Sequence, residues 1–336
     1  MVSSQLELFG WGELVVPKDK NDYGNVYEFL CSLPCFYFGH NKPDLLEIER
    51  DFIYKKNLYK LKLRKTRISK DNDSFLGSID QDVLDTLLYI GTREDTQREV
   101  HNGRVRIRVS INHIHNLMKG KVRYEDIKSS IQRLKETQLS IYPINSNGYN
   151  NIEWNCETII SQYIIKDERY SKQNDILTYI EFNSSFSEEL LKGKIKLINF
   201  PKYIALKNPV GKFIYKKLVL SDIFSTKDYS ITYHNKSLYT LLLNCGYQSS
   251  STQDRNNTLR TFRQGIKELQ QKGIINKCEM TPIKDGNKVE DYFIEITPSK
   301  WLVEQNHLQR KKKKFRSYDR KLVEPPQDGS EYNEYM

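Results

Sequence analysis

Residues 256–296 read NNTLRTFRQGIKELQQKGIINKCEMTPIKDGNKVEDYFIEI. Leu259, Phe262, Ile266 and Leu269 recur at helical spacing and mark one apolar stripe of a helix over 257–272. Asn256, Arg260, Arg263 and Lys267 form a second stripe, at i, i+4, i+7 and i+11, and every member is polar or basic. Gly273 ends the helix. Ile274 to Met280 and Tyr292 to Ile296 read as strands around Lys284-Asp285-Gly286-Asn287-Lys288, and Asp-Gly between two such runs signals a hairpin. A helix with one buried face and one basic, amide-bearing face suits the major groove of DNA. There Arg donates two hydrogen bonds to guanine and Asn pairs with adenine. Ser249 to Thr252 and Arg255 stand just before the helix, where hydroxyls and charge hold phosphates. Lys284 and Lys288 extend the basic surface onto the hairpin. An ordinary amphipathic helix with a solvated outer face has the same spacing, so the neighbouring elements decide between the two readings.

Upstream, Ser187 to Leu191 reads as a helical turn and Ile195 to Ile198 as a strand. Pro209 opens a helix that runs to Phe224, a position where its missing N–H costs nothing. Ser237 caps Leu238 to Asn244, and Gly246 stops that helix. Helix, turn, helix and hairpin together make a winged helix, which favours the DNA reading.

The first half shows the same plan. Asp80 to Ile90 carries Val83, Leu84, Leu87 and Leu88 at helical spacing, with Asp80 as N-cap. Arg104 to Val109 alternates as a strand. Ser110 caps a helix through Met118, and Arg123 to Glu136 forms a third helix with Tyr124, Ile127, Ile131 and Leu134 inward. Strands follow over Leu139 to Tyr142, Ile152 to Ile165 and Ile176 to Phe182. Lys121, Arg123 and Lys128 are the DNA-facing candidates of this half, but Glu125 and Asp126 dilute them. Weaker DNA binding is expected here than in the second half.

The chain of 336 residues has room for two domains. Its net charge of +10 is concentrated rather than spread. Segment 50–70 holds nine basic residues against one acid, segment 310–321 holds eight against one, and the remainder is net acidic. In the first segment Lys60, Lys62 and Arg64 alternate with Tyr59, Leu61 and Leu63, giving a strand with one basic and one apolar face. In the second, Lys311 and Lys312 lead a basic tail. Concentrated positive charge releases counterions from a polyanion, the main source of sequence-independent DNA affinity.

Other classes are less well supported. Met1 to Gly10 lacks a basic region followed by an apolar run, so no secretory leader is expected, and no stretch is apolar enough for a membrane span. Cys31 and Cys35, with His40 beyond them, hint at zinc. No second ligand pair lies nearby, and five reduced thiols in a cytoplasmic, nucleoid-associated protein is the ordinary reading. No cofactor is expected. His113-Ile114-His115 matches the metal-binding pair of nicking endonucleases if it lies on a strand, whereas Ser110 as cap places it on a helix. Asp80 and Asp82 would suit a primase metal pair, but acids are common in the first turn of a helix. Gly211-Lys212 lacks the earlier glycine of a phosphate loop. A winged-helix transcriptional repressor has the same fold and stays open.

Lys196 to Ser221 (KLINFPKYIALKNPVGKFIYKKLVLS) resembles the inter-domain boundary of plasmid replication initiators with two tandem winged-helix domains. Thr178 to Phe182 with Phe186 and Leu190 resembles the strand and turn before that boundary. Leu259 to Leu269 with its hairpin resembles the family's DNA-reading helix and wing. The likeness covers about residues 76 to 298. It implies binding to double-stranded DNA at repeated origin sites, an inactive or autorepressing homodimer, and recruitment of host helicase machinery. The expected architecture is α+β. Residues 1–70 form an N-terminal arm with a basic strand, 71–182 and 183–300 form the first and second winged-helix domains, and 301–336 form a basic tail.

Overall fold

A computed structural model of the chain describes residues 23–36, 38, 46–54, 57–65, 75–91, 98–144, 154–165, 177–192, 195–221, 232–235, 237–247 and 252–309. Strand β1 (Tyr23–Tyr27) runs directly into helix α1 (Glu28–Ser32). Strands β2 (Glu47–Tyr54) and β3 (Asn57–Arg64) form an antiparallel hairpin. Both alternate along their length, burying Ile48, Phe52, Tyr59, Leu61 and Leu63 on one face.

The first half continues with α2 (Ser78–Ile90), β4 (Arg98–His101), β5 (Arg104–Ser110), α3 (Ile111–Leu117) and α4 (Tyr124–Glu136). Helix α2 begins before Asp80, which sits one turn in and accepts from the Gly77 N–H at 2.6 Å. The Ser110 cap forms as the sequence predicts, its Oγ accepting from His113 N at 3.0 Å. Next come β6 (Gln138–Pro143), β7 (Trp154–Glu157), β8 (Ile160–Ile165) and β9 (Leu177–Phe182). The single strand expected over 152–165 is therefore two strands. A turn at Thr158, whose hydroxyl donates to Ile160 O, sends them to different sheets. Strand β7 joins the order β2-β3-β6-β7, whereas β8 joins β4-β5-β9-β8.

Helix α5 (Ser184–Lys192), strand β10 (Ile195–Asn199) and helix α6 (Phe200–Ala205) bridge to the second half. That half holds α7 (Pro209–Leu220), β11 (Tyr233–Asn235), α8 (Leu238–Asn244), α9 (Thr252–Gln271), β12 (Ile275–Asp285) and β13 (Lys288–Pro298). A final helix, α10, spans 300–309. The two halves repeat one topology. In each, the strand that leads into the second helix pairs with the last strand of the segment that follows the third helix. The orders are β5-β9-β8 and β11-β13-β12.

Two features tie the halves together. Strand β1 pairs antiparallel with β10, so the N-terminal segment completes a sheet in the middle of the chain. Helices α2 and α7 meet through charged pairs, Asp82 with Lys212 and Asp85 with Lys216, and Asp85 also accepts from the Tyr203 hydroxyl. Tyr89 stacks on Phe200 with ring centroids 4.0 Å apart. Buried side chains from both halves form one contiguous cluster.

Candidate nucleic-acid interface

Helix α9 buries the apolar stripe that its spacing predicts, with Phe262 and Leu269 fully covered and Leu259 and Ile266 nearly so. Its other side faces solvent. Arg255, Asn256, Arg260, Arg263 and Lys267 are all exposed, and Gln264 stands among them. Among the described side chains of α9, Glu268 is the one acid, and it is turned away from this stripe. Its carboxylate accepts from the backbone N–H groups of Lys207 at 2.7 Å and Asn208 at 2.9 Å, at the start of α7. A row of polar and basic side chains is left facing outward.

The position of α9 is fixed by contact with α7. Asn208 caps α7, its Oδ1 accepting from Val210 N and Gly211 N, while its Nδ2 donates to Thr261 O at 3.0 Å. The helices cross where Gly211 faces Gly265. A β carbon at Gly265 would lie 2.8 Å from the Gly211 nitrogen, so the pair of glycines permits this approach. At the other end of α9, Lys202 donates to Lys272 O at 3.1 Å and lies over the Trp301 ring.

Arg255, at the start of α9, is held by α8. Arg255 sits over the Tyr239 ring at 5.4 Å, which holds its guanidinium beside the start of α9. Tyr239 belongs to α8, whose first turn is anchored to the hairpin: Asp291 accepts from Ser237 Oγ at 2.5 Å and from Tyr239 N at 3.2 Å. Lys284 and Lys288 are exposed near the hairpin turn. Gly286 takes φ +58° there, as the first central residue of a two-residue loop favours.

The first-half candidates are placed differently. Arg123 forms two hydrogen bonds with Asp126, at 2.9 and 3.1 Å, and Lys128 approaches Glu125 at 3.5 Å. Lys121 donates to Ile204 O at 2.6 Å across the junction between the halves, and partial burial lowers the pKa of its ammonium. Along β3, Lys60 pairs with Glu49 at 3.2 Å and Lys62 with Glu47 at 2.7 Å, while Arg64 is exposed. The Glu47 hydrogen bond raises the Lys62 pKa. The acids of β2 thus temper the basic face of β3. Lys311 and Lys312 lie outside the described residues, as does His40.

A denser charged cluster lies on β5 and β9. Glu181 is almost wholly buried between Arg104 and Arg106. Burial raises its pKa, but hydrogen bonds from Arg106, Arg104, Ser161 and Gln162 outweigh that and hold it at about 2.

His113 and His115 lie in helix α3, not on a strand, and positions i and i+2 of a helix do not face each other. The His115 ring stacks on Tyr124 with centroids 4.2 Å apart. Cys31 and Cys35 are buried free thiols, raised by desolvation to about 11 and about 12. Among the described residues, no three His, Cys, Asp or Glu side chains gather as metal ligands. No helix of the described residues is long and apolar enough to cross a membrane.

No family model and no curated protein matches the sequence. Among solved structures, the chain is similar to RctB domains 2–3, with a TM-score of 0.47 and 15% identity, over 81% of this chain and 98% of that one. It is also similar to the Pi initiator protein in complex with iteron DNA, with a TM-score of 0.44 and 13% identity, over 66% of this chain and 91% of that one.

Proposed function

We propose that the chain binds double-stranded DNA sequence-specifically through two winged-helix modules and acts, without catalysing a reaction, as a plasmid replication initiator at repeated origin sites. One observation carries the DNA reading. The outer stripe of α9, Asn256 to Lys267, is exposed and free of described acids, on a helix whose opposite side is packed into the core. Side chains that are not held by internal partners keep their donors for base edges and phosphates.

The two halves share the load unequally in this reading. Module two reads sequence through Arg260 and Arg263. Module one adds a weaker contact, since Arg123 and Lys128 are already engaged by Asp126 and Glu125. The origin role, the homodimer and the recruitment of a host helicase rest on the sequence resemblance at 196–221 and 259–269. A nucleoid location follows from the same reading.

Sequencing the duplex fragments retained by the pure full chain tests this. A cluster of short direct repeats supports the origin reading. A single inverted repeat would make the chain a repressor, and no retained duplex at moderate salt would end the DNA reading.

A further inference from the structure

Strand β2 carries a cation in an apolar row. Alternation puts Arg50 on the face that buries Ile48, Phe52 and Tyr54, and Arg50 is only 2% exposed. A charge taken out of water is costly unless hydrogen bonds replace its hydration. Main-chain oxygens supply them here. Arg50 Nη1 donates to Pro34 O at 2.6 Å and to Phe36 O at 2.8 Å. The side chain thereby fixes the path of residues 33–36, the stretch that follows α1.

This stretch lies against the end of α8. Gly246 follows that helix with φ +92°, a conformation that favours glycine. Its α carbon is so close to Phe36 that a β carbon would run into Phe36 O and stand 3.0 Å from Arg50 Nη1. Strand β2 packs against the same helix. Next in the chain, Tyr247 stacks on Phe38 with ring centroids 5.7 Å apart. A hydrogen bond joins the Tyr247 and Thr261 hydroxyls. Thr261 lies in α9, one residue after Arg260 and two before Arg263, and its carbonyl is the one that Asn208 grips from α7. The basic helix is thus held at a single residue from two sides, by α7 through Asn208 and by the N-terminal segment through Tyr247.

The angle of α9 matters more for reading bases than for binding phosphates. A bidentate contact from arginine to guanine requires a fixed geometry, whereas attraction between cations and phosphates tolerates displacement. We infer that Arg50 and Tyr247 are positioning residues: the N-terminal segment, held by Arg50, sets the angle at which α9 presents Arg260 and Arg263 to base edges. This inference rests on the DNA-binding reading above, and it makes residues 33–54 a working part of the second module.

The test compares two duplexes with the full chain, one that it retains from random sequence and one of the same composition in scrambled order. Tyr247→Phe keeps the ring on Phe38 and removes the hydroxyl from Thr261. It should lower affinity for the retained duplex about tenfold, while affinity for the scrambled duplex and the salt slope stay as in wild type. Arg50→Met should lose at least as much preference, and Arg50→Lys, which keeps a donor for the carbonyls, should recover part of it. Glu181→Gln lowers stability in the first half and should leave the preference intact, which separates positioning from a general loosening of the fold. If Arg50→Met does not fold, Tyr247→Phe decides alone. A wild-type preference in Tyr247→Phe, or an equal loss on both duplexes, overturns the inference. If wild type itself binds both duplexes alike, the sequence-reading proposal has failed, a result that needs no variant.

Discussion

Gly265 of α9 and Gly211 of α7 touch backbone to backbone. A β carbon on Gly265 would come within 2.8 Å of the Gly211 nitrogen, whereas one on Gly211 would lie 3.3 Å from the Gly265 carbonyl oxygen. The asymmetry ranks two variants. Gly265→Ala must push main chain apart, at a cost of about 1–3 kcal/mol that exceeds its helix-propensity gain of about 1 kcal/mol. Gly211→Ala, whose β carbon would press on Gly265 backbone at 3.3–3.4 Å, should cost less than Gly265→Ala. Thermal unfolding of the two variants checks the order, and equal midpoints would refute the close crossing.

Arg260→Ala and Arg263→Ala should each weaken binding at the specific site by about 1–3 kcal/mol and relax the preference for the base they read. Arg123→Ala should cost much less, because its guanidinium is already bound to Asp126. Titration of one labelled duplex with the three variants gives the comparison. Wild-type affinity in both α9 variants would remove the second module from the binding site.

Lys216 and Asp85 are both nearly buried, with side chains 10% and 12% exposed. Lys216→Met should therefore cost about 3–5 kcal/mol, since it leaves a buried carboxylate without its cation. Asp85→Leu/Lys216→Met should recover much of that loss. Denaturant titration of the single and double variants measures the coupling, and additive losses would place the pair in solvent.

Glu181 predicts a dependence on pH. Its pKa falls from an ordinary 4.5 to about 2 in the folded chain, so the folded state favours the ionised form. The stabilisation is complete above pH 4.5 and disappears as pH falls through 2. Wild type should exceed Glu181→Gln in unfolding midpoint at neutral pH, and the gap should close across that window. A gap that persisted at the acid end would assign the stability to another group.

Removing residues after Gln309 takes away the basic tail and should weaken binding to all duplexes alike while flattening the salt dependence. The cut belongs there because Gln309 accepts from Leu197 N at 2.9 Å and donates to Leu197 O at 2.7 Å. An unchanged slope would show that the tail does not touch phosphate.

Local periodicity made α4 and α9 readable, because both faces of a helix are written within a few turns, except that Tyr124, expected inward, is 43% exposed at the first turn of α4 and donates to Asn112 Oδ1. Ser110 as a cap and the Asp285-Gly286 hairpin were readable for the same reason. What escaped was set by partners distant in sequence. Glu47 and Glu49 reach Lys60 and Lys62 only through the register of two strands. Lys121 reads as a DNA ligand until Ile204 is brought beside it. Asp82 reads as an acid of a helix start until Lys212 arrives from the other half. Strand β11 has three residues and no apolar run, so nothing marked it. Glu268 looked like one more charge on α9, and only the start of α7 shows why it leaves the stripe basic.

The β1–β10 pairing has a consequence for how the chain is made. Tyr27 cannot meet Ile195 until the ribosome has released the middle of the protein. At about 5–20 residues per second, that leaves the first strand waiting for many seconds to tens of seconds. Through that interval its backbone donors and acceptors have no native strand to join. The nascent chain is then open to off-pathway strand pairing, and chaperone capture during translation should concentrate on intermediates that end short of Asn199.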